Sequence, residues 1–349
     1  MSKKIDCYFN FLGAYNAELV NSCITNCVFT ILQIENIKTP MLYFNCSLCF
    51  CVCKAENMVL GYSYSCAREI LVMDYSNHVI EHNNLELYSY EELWEVHKTN
   101  LRNGKPIVLL CDLYYLDYYK NLRKEHRLHG IIAYAIDEEE KNIYIIDNGS
   151  QFYNGTIAVD DFKKSWTSEY FDNKCVTDAE ILSNKVWFEV ITENWKDNEP
   201  KKMLSVNLQN TIDCYYNSEP NDEIIYGLAG LETVLQRFQL CYEKESDMSI
   251  VLKELKDIIF EAVNRMKWNK AFIISVQQET QIPELNNYIC RIESDLSQWN
   301  AFYNLLLKGN VIFNDALYQK IVYKFAICLK NEHNRELMTK KLAQIVRFD

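Results

Sequence analysis

The chain has 349 residues, 49% of them hydrophobic, with only five prolines and nine glycines. That suffices to bury the core of one large or two medium domains, and argues against long disordered segments. A net charge of −12 excludes the basic footprint of a general nucleic-acid binder and suits a cytoplasmic enzyme, with a cation among its small substrates.

Met1-Ser2-Lys3-Lys4 leads into polar and mixed sequence rather than the apolar core of a signal peptide. No stretch is apolar enough, over enough length, to span a membrane. The fourteen cysteines are therefore expected to be reduced thiols rather than a disulfide framework.

In chain order, Cys23 opens an apolar run through Leu32 that reads as a helix. Met41 to Cys53 alternates apolar and small residues and reads as a strand. Tyr90 to Arg102 reads as a helix stopped by Asn103-Gly104. Pro106 to Cys111 is an apolar strand. Ile131–Ile136 and Ile143–Ile146 are strands joined by the acidic turn 137–142, a hairpin with a solvated tip. Val186 to Thr192 is a further strand. Glu193 to Lys202 is polar and reads as a linker.

Beyond it, Leu252, Leu255, Ile259, Ala262, Val263 and Met266 keep the spacing of an amphipathic helix. Similar runs occupy 228–242, 285–308, 314–330 and 332–346, and no internal repeat is present. The expected architecture is α+β, with a catalytic domain over 1–192, a linker over 193–202 and a helical domain over 203–349.

Three side chains carry the chemistry. A thiol at a helix start, Cys23, is drawn toward thiolate by the helix dipole. His129 opens the strand 129–136, where its imidazole can exchange a proton with that thiol. Asp147 ends the next strand, where a carboxylate can orient the ring. Each has a bland reading. A cysteine on an apolar helix is most often a small core residue, and Cys27, one turn on, competes for the nucleophile's role. His126 is a nearby second histidine, and Asp147 before Asn148-Gly149 could begin a turn. The order and placement of all three favour a cysteine nucleophile laid out as in papain.

Cys46, Cys49, Cys51 and Cys53 look superficially like zinc ligands. Alternating cysteines on a strand spread over about 13 Å, whereas a tetrahedral site needs sulfurs within about 4 Å of one another. No metal is expected there. Neither a P-loop nor a dinucleotide glycine fingerprint occurs. Lys120, Arg123, Lys124 and Arg127 form a basic stretch just before His129, in an otherwise acidic chain.

The chain resembles the family of the butirosin biosynthesis protein H N-terminal domain. The Cys23 helix carries part of the resemblance, with Asn36-Ile37 where the family usually has Gly-Ile. Gly104-Lys105-Pro106 followed by Asp112-Leu113-Tyr114-Tyr115-Leu116 carries more, as does His129-Gly130 through Asp147. Gly227-Leu228-Ala229-Gly230-Leu231 and the Trp299 helix are similar to the family's second domain. The region Leu42 to Tyr62, cysteine-rich with a single glycine, departs from it.

The resemblance implies a papain-like cysteine protease fold followed by a helical C-terminal domain. It implies a catalytic triad of Cys23, His129 and Asp147 that forms amide bonds in natural-product (nonribosomal peptide) biosynthesis. The acyl donor would be an acyl or peptidyl carrier protein, whose phosphopantetheine thioester replaces any cofactor of the enzyme's own. The acceptor would be a small amine; for a relative in closthioamide assembly it is a diamine. Neither nucleic acid nor membrane is an expected partner. The backbone N–H of Cys23 and the Asn21 side chain are candidate oxyanion donors. The same triad would also serve a cysteine peptidase or amidase, and a degenerate copy of the fold would serve a non-catalytic binding protein.

Overall fold

The computed structural model describes residues 23–37, 39–44, 46–48, 51–65, 79–82, 89–119, 126, 128–137, 139–148, 152–168, 187–191, 199–217, 223–309 and 311–346. In chain order the elements are α1 (Cys23–Ile34), β1 (Cys51–Lys54), β2 (Tyr62–Ser65), β3 (Val79–His82), α2 (Tyr90–Arg102), β4 (Ile107–Asp112) and β5 (Leu128–Ile136). There follow β6 (Asn142–Asn148), β7 (Phe152–Ala158), α3 (Val159–Trp166), β8 (Trp187–Val190), α4 (Pro200–Asn210) and β9 (Ile224–Tyr226). Four helices complete the chain: α5 (Gly227–Glu243), α6 (Met248–Thr280), α7 (Pro283–Gly309) and α8 (Asp315–Val346). The result is a mixed α/β protein with antiparallel sheets and a helical C-terminal part.

The chain divides into two compact units: residues 1–40 with 72–197, and residues 41–71 with 198–349. Residues 41–71 group with the helical part rather than with 1–192.

In the first unit, six antiparallel strands lie in the order β3-β8-β4-β5-β6-β7. Alternate residues Ile107, Leu109 and Cys111 of β4, Ile131 and Ala133 of β5, and Ile143 and Ile145 of β6 form one core. Leu93, Trp94 and Leu101 of α2, with Phe162 and Trp166 of α3, complete it. α1 packs against β4, β5 and β6, burying Cys27, Val28, Ile31 and Leu32. Its end is a Schellman motif. Asn36 takes the left-handed conformation (φ 57°), its N–H donates to Gln33, and the Ile37 N–H donates back to Leu32 at 2.9 Å. α2 begins with a full capping box between Ser89 and Glu92 and ends at Asn103-Gly104, with Gly104 at φ 67°.

The second unit holds a three-stranded antiparallel sheet, β2-β1-β9, and the helices α4 to α8. A buried ionic cluster ties its helices. Arg335 pairs with Glu332 and Asp295, and Glu332 also accepts from Trp299 at 2.9 Å and Tyr215 at 3.1 Å.

Three expectations need correction. Met41–Cys53 is not one strand: Pro40 starts a 3-10 turn through Tyr43, and the strand β1 starts at Cys51. Pro200–Lys202 is not linker but the first turn of α4, with the proline at a position where its missing N–H costs nothing. The expected helices 314–330 and 332–346 are one helix, α8, since Lys330-Asn331-Glu332 holds no breaker and Glu332 is bonded inward.

Candidate active site

Cys23 is the first residue of α1, so its sulfur lies at the positive end of the helix dipole. β5 places His129 beside it. The neighbouring residue, Gly130, explains how close the two elements come. A side-chain carbon at 130 would lie 3.2 Å from the Cys23 sulfur and 3.3 Å from the backbone of Cys23 and Ile24. Only hydrogen fits there without displacing the helix start.

β5 and β6 are neighbours in the sheet, which brings Asp147 to His129. Nε2–H of His129 donates to Asp147 Oδ1 at 2.8 Å. The His129 side chain is also hydrogen-bonded to Cys23. The Asp147 carboxylate is fully buried, and its Oδ2 accepts the Tyr118 hydroxyl at 2.9 Å. The Tyr119 hydroxyl lies 3.4 Å from His129 Nε2. Tyr118 stacks on Tyr153, the rings 4.1 Å apart and nearly parallel.

The electrostatics follow. Burial pushes the Cys23 thiol up. The hydrogen bond from His129, the imidazolium charge and the N–H groups of Gly130 and Ile24 together outweigh it, so its pKa falls below the usual 9.0. Burial pushes the His129 imidazolium down, but its bonds to Asp147 and Cys23 win and raise it to about 10. Both shifts favour a thiolate–imidazolium pair. Tyr118 and Cys27 are shifted the other way: burial first, then Asp147, raises Tyr118, and burial first, then Cys23 and Asp147, raises Cys27. Cys27 donates its thiol proton to the Gly130 carbonyl at 3.4 Å.

The structure thus brings together all three expected residues and separates Cys27 from the imidazole's partner role. Sequence reasoning missed Tyr118. It lies two residues after the Asp112–Leu116 stretch that carries part of the resemblance, but is one of 24 tyrosines and nothing in its spacing singles it out. Asn21, the basic stretch at Lys120, Arg123, Lys124 and Arg127, and Cys49 lie outside the described residues. Cys46 is buried and its thiol contacts the Met41 sulfur at 3.6 Å. Among the described residues no group of three or more His, Cys, Asp and Glu side chains is placed to hold a metal. No described helix is long and apolar enough to cross a membrane.

The geometry coincides with a family boundary. Residues 23–148 match the family described as butirosin biosynthesis protein H, N-terminal. The match starts at Cys23 and ends one residue beyond Asp147, so it encloses the whole constellation. It also takes in β1 and β2 of the second unit. No curated protein matches the chain.

Proposed function

We propose that the chain is a papain-like cysteine acyltransferase of natural-product biosynthesis, moving an acyl group from a carrier-protein thioester to an amine. The observation that carries this reading is the convergence of Cys23, His129 and Asp147 into a buried thiolate–imidazolium–carboxylate series. A thiol on the first residue of a helix, laid against an antiparallel sheet that supplies the histidine and the acid, supports the papain-like assignment. The family's name as a biosynthesis protein supports the biosynthetic role.

The Cys23 thiolate attacks the thioester carbonyl and forms a C–S bond. The carrier thiol leaves, taking the proton that His129 holds. Exchange of one thioester for another is nearly balanced in energy. The amine then attacks the acyl-cysteine, giving a proton to His129, and the Cys23 thiolate departs. Aminolysis of a thioester is downhill, so no nucleotide is spent. An aliphatic amine arrives mostly protonated, its pKa being near 10 for a lysine-like group, and a general base close to the acyl-cysteine assists its attack. The phosphopantetheine arm travels with the donor, and the enzyme holds no cofactor of its own.

Intact mass spectrometry after mixing with acyl-loaded carrier protein tests this. The expected result is an acyl adduct on Cys23 that amine discharges as amide. Discharge to water alone would make the enzyme an amidase or peptidase, and no adduct at all would remove the acyltransferase reading.

A further inference from the structure

The first unit holds a second histidine–carboxylate couple that this chemistry leaves unused. Asp112, the last residue of β4, is fully buried. Three donors satisfy its carboxylate. Oδ1 accepts the Tyr114 N–H at 3.1 Å, while Oδ2 accepts His126 Nδ1–H and the Ser168 hydroxyl, each at 2.7 Å. Its carbonyl accepts the Ser165 hydroxyl of α3, also at 2.7 Å. Burying a carboxylate is costly unless it is satisfied in this way.

Two paths lead from Asp112 to the reacting groups. Along the chain, the Tyr114 bond caps a 3-10 turn at Leu113–Tyr115, and a second turn follows at Asp117–Tyr119, closed by Tyr119 N–H to Leu116 O at 3.0 Å. That second turn carries Tyr118, on Asp147, and Tyr119, beside His129. Across the sheet, Asp112 pairs with Leu128 and Cys111 with His129. His126 fixes the chain three residues before His129, its ring stacked on Tyr114 at 4.4 Å.

We infer that Asp112, locked by His126, is a positioning residue: it fixes the 113–119 segment, whose two tyrosines hold Asp147 and His129 in register with Cys23. The inference rests on Cys23, His129 and Asp147 being the reacting groups. A carboxylate that only capped a turn would affect stability and leave the reactivity of the thiol alone.

The test is the pH profile of iodoacetamide alkylation of Cys23, read by intact mass, with thermal unfolding as the control for folding. Asp112→Asn is expected to slow alkylation near neutral pH roughly tenfold, as misplaced reacting groups do, and to move its profile to higher pH. Tyr118→Phe should act in the same direction. The double variant should fall short of the sum, because both act through one segment. His126→Ala should reproduce part of the loss, and His126→Gln, which keeps a donor toward the carboxylate, should restore it. A folded Asp112→Asn with the wild-type profile, or full additivity with Tyr118→Phe, overturns the inference. If Asp112→Asn does not fold, the His126→Ala and His126→Gln pair decides alone, since that side chain is partly exposed. Wild-type protein whose Cys23 shows no reactivity below the ordinary thiol range would instead overturn the acyltransferase reading.

Discussion

Cys23 and Cys27 sit one helical turn apart, and their surroundings assign them opposite roles. Cys23 has His129 and two backbone N–H groups around its sulfur; Cys27 has a carbonyl. Cys23→Ala or Cys23→Ser should therefore abolish acyl-adduct formation with the fold intact, while Cys27→Ala keeps most of it, as intact mass and turnover would report. A live Cys23→Ala would reverse the assignment. The pH dependence has a definite sign. Alkylation requires the thiolate, and the contributions that lower the Cys23 pKa come chiefly from His129, against burial that raises it. Removing His129 leaves burial in charge, so the alkylation inflection of His129→Ala should move from below 9.0 to above it, with at least a tenfold slower reaction at neutral pH. The three converging positions, Cys23, His129 and Asp147, were legible in sequence because each stands at or near the end of an element whose apolar pattern is plain. Tyr118 and Asp112 were not, because their roles depend on two 3-10 turns that no hydrophobic period announces.

Elements with strong local signals formed where they were read, though the strands β5 and β6 run beyond the expected 131–136 and 143–146. α2, with its capping box and Asn103-Gly104 stop, spans Tyr90–Arg102 as read, and the β5–β6 hairpin formed around its acidic turn. β7 and α3 were missed, since Phe152–Ala158 mixes polar residues with a glycine on a strand that pairs along one side only. Two tests belong at this scale. Asn36 occupies the left-handed position that closes α1. Asn36→Ala should cost about 1 kcal/mol, while Asn36→Gly should be neutral or stabilising, measured by urea unfolding. The second test concerns His97 of α2, buried edge-on between Trp166 and Trp187. Among the described residues neither of its ring nitrogens has a hydrogen-bond partner. Burial first, then the proximity of His82, lowers its pKa from 6.5 to about 3. The unfolded chain binds this proton from pH 6.5 downward and the folded one does not until about pH 3, so stability falls across that window as pH falls. The loss is about 1.4 kcal/mol per pH unit. His97→Phe should flatten the slope of urea midpoints between about pH 6 and pH 4; an unchanged slope would show that other groups carry it.

At the scale of the whole molecule, 48 acidic residues against 36 basic ones create a field that draws cations. Raising salt should weaken capture of a cationic amine, seen as a higher KM for the acceptor, because exposed charges are screened beyond about 8–10 Å. Indifference to salt would place the acceptor in a purely local pocket. The division of the chain has its own consequence. β1 belongs to a unit whose other residues begin at 198, and Cys53 pairs with Ile224 only after the intervening segment has been made. At about 5–20 residues per second, the ribosome delivers that partner strand roughly 10–30 s after β1 has emerged. During this interval β1 and β2 can form only a two-stranded hairpin with the β1 edge that later takes β9 left open, a structure marginal on its own and a template for pairing with neighbouring chains. Synthesis of this protein therefore carries a waiting period in which a holdase, or the first unit folding ahead of it, has to keep Cys51–Lys54 out of other sheets.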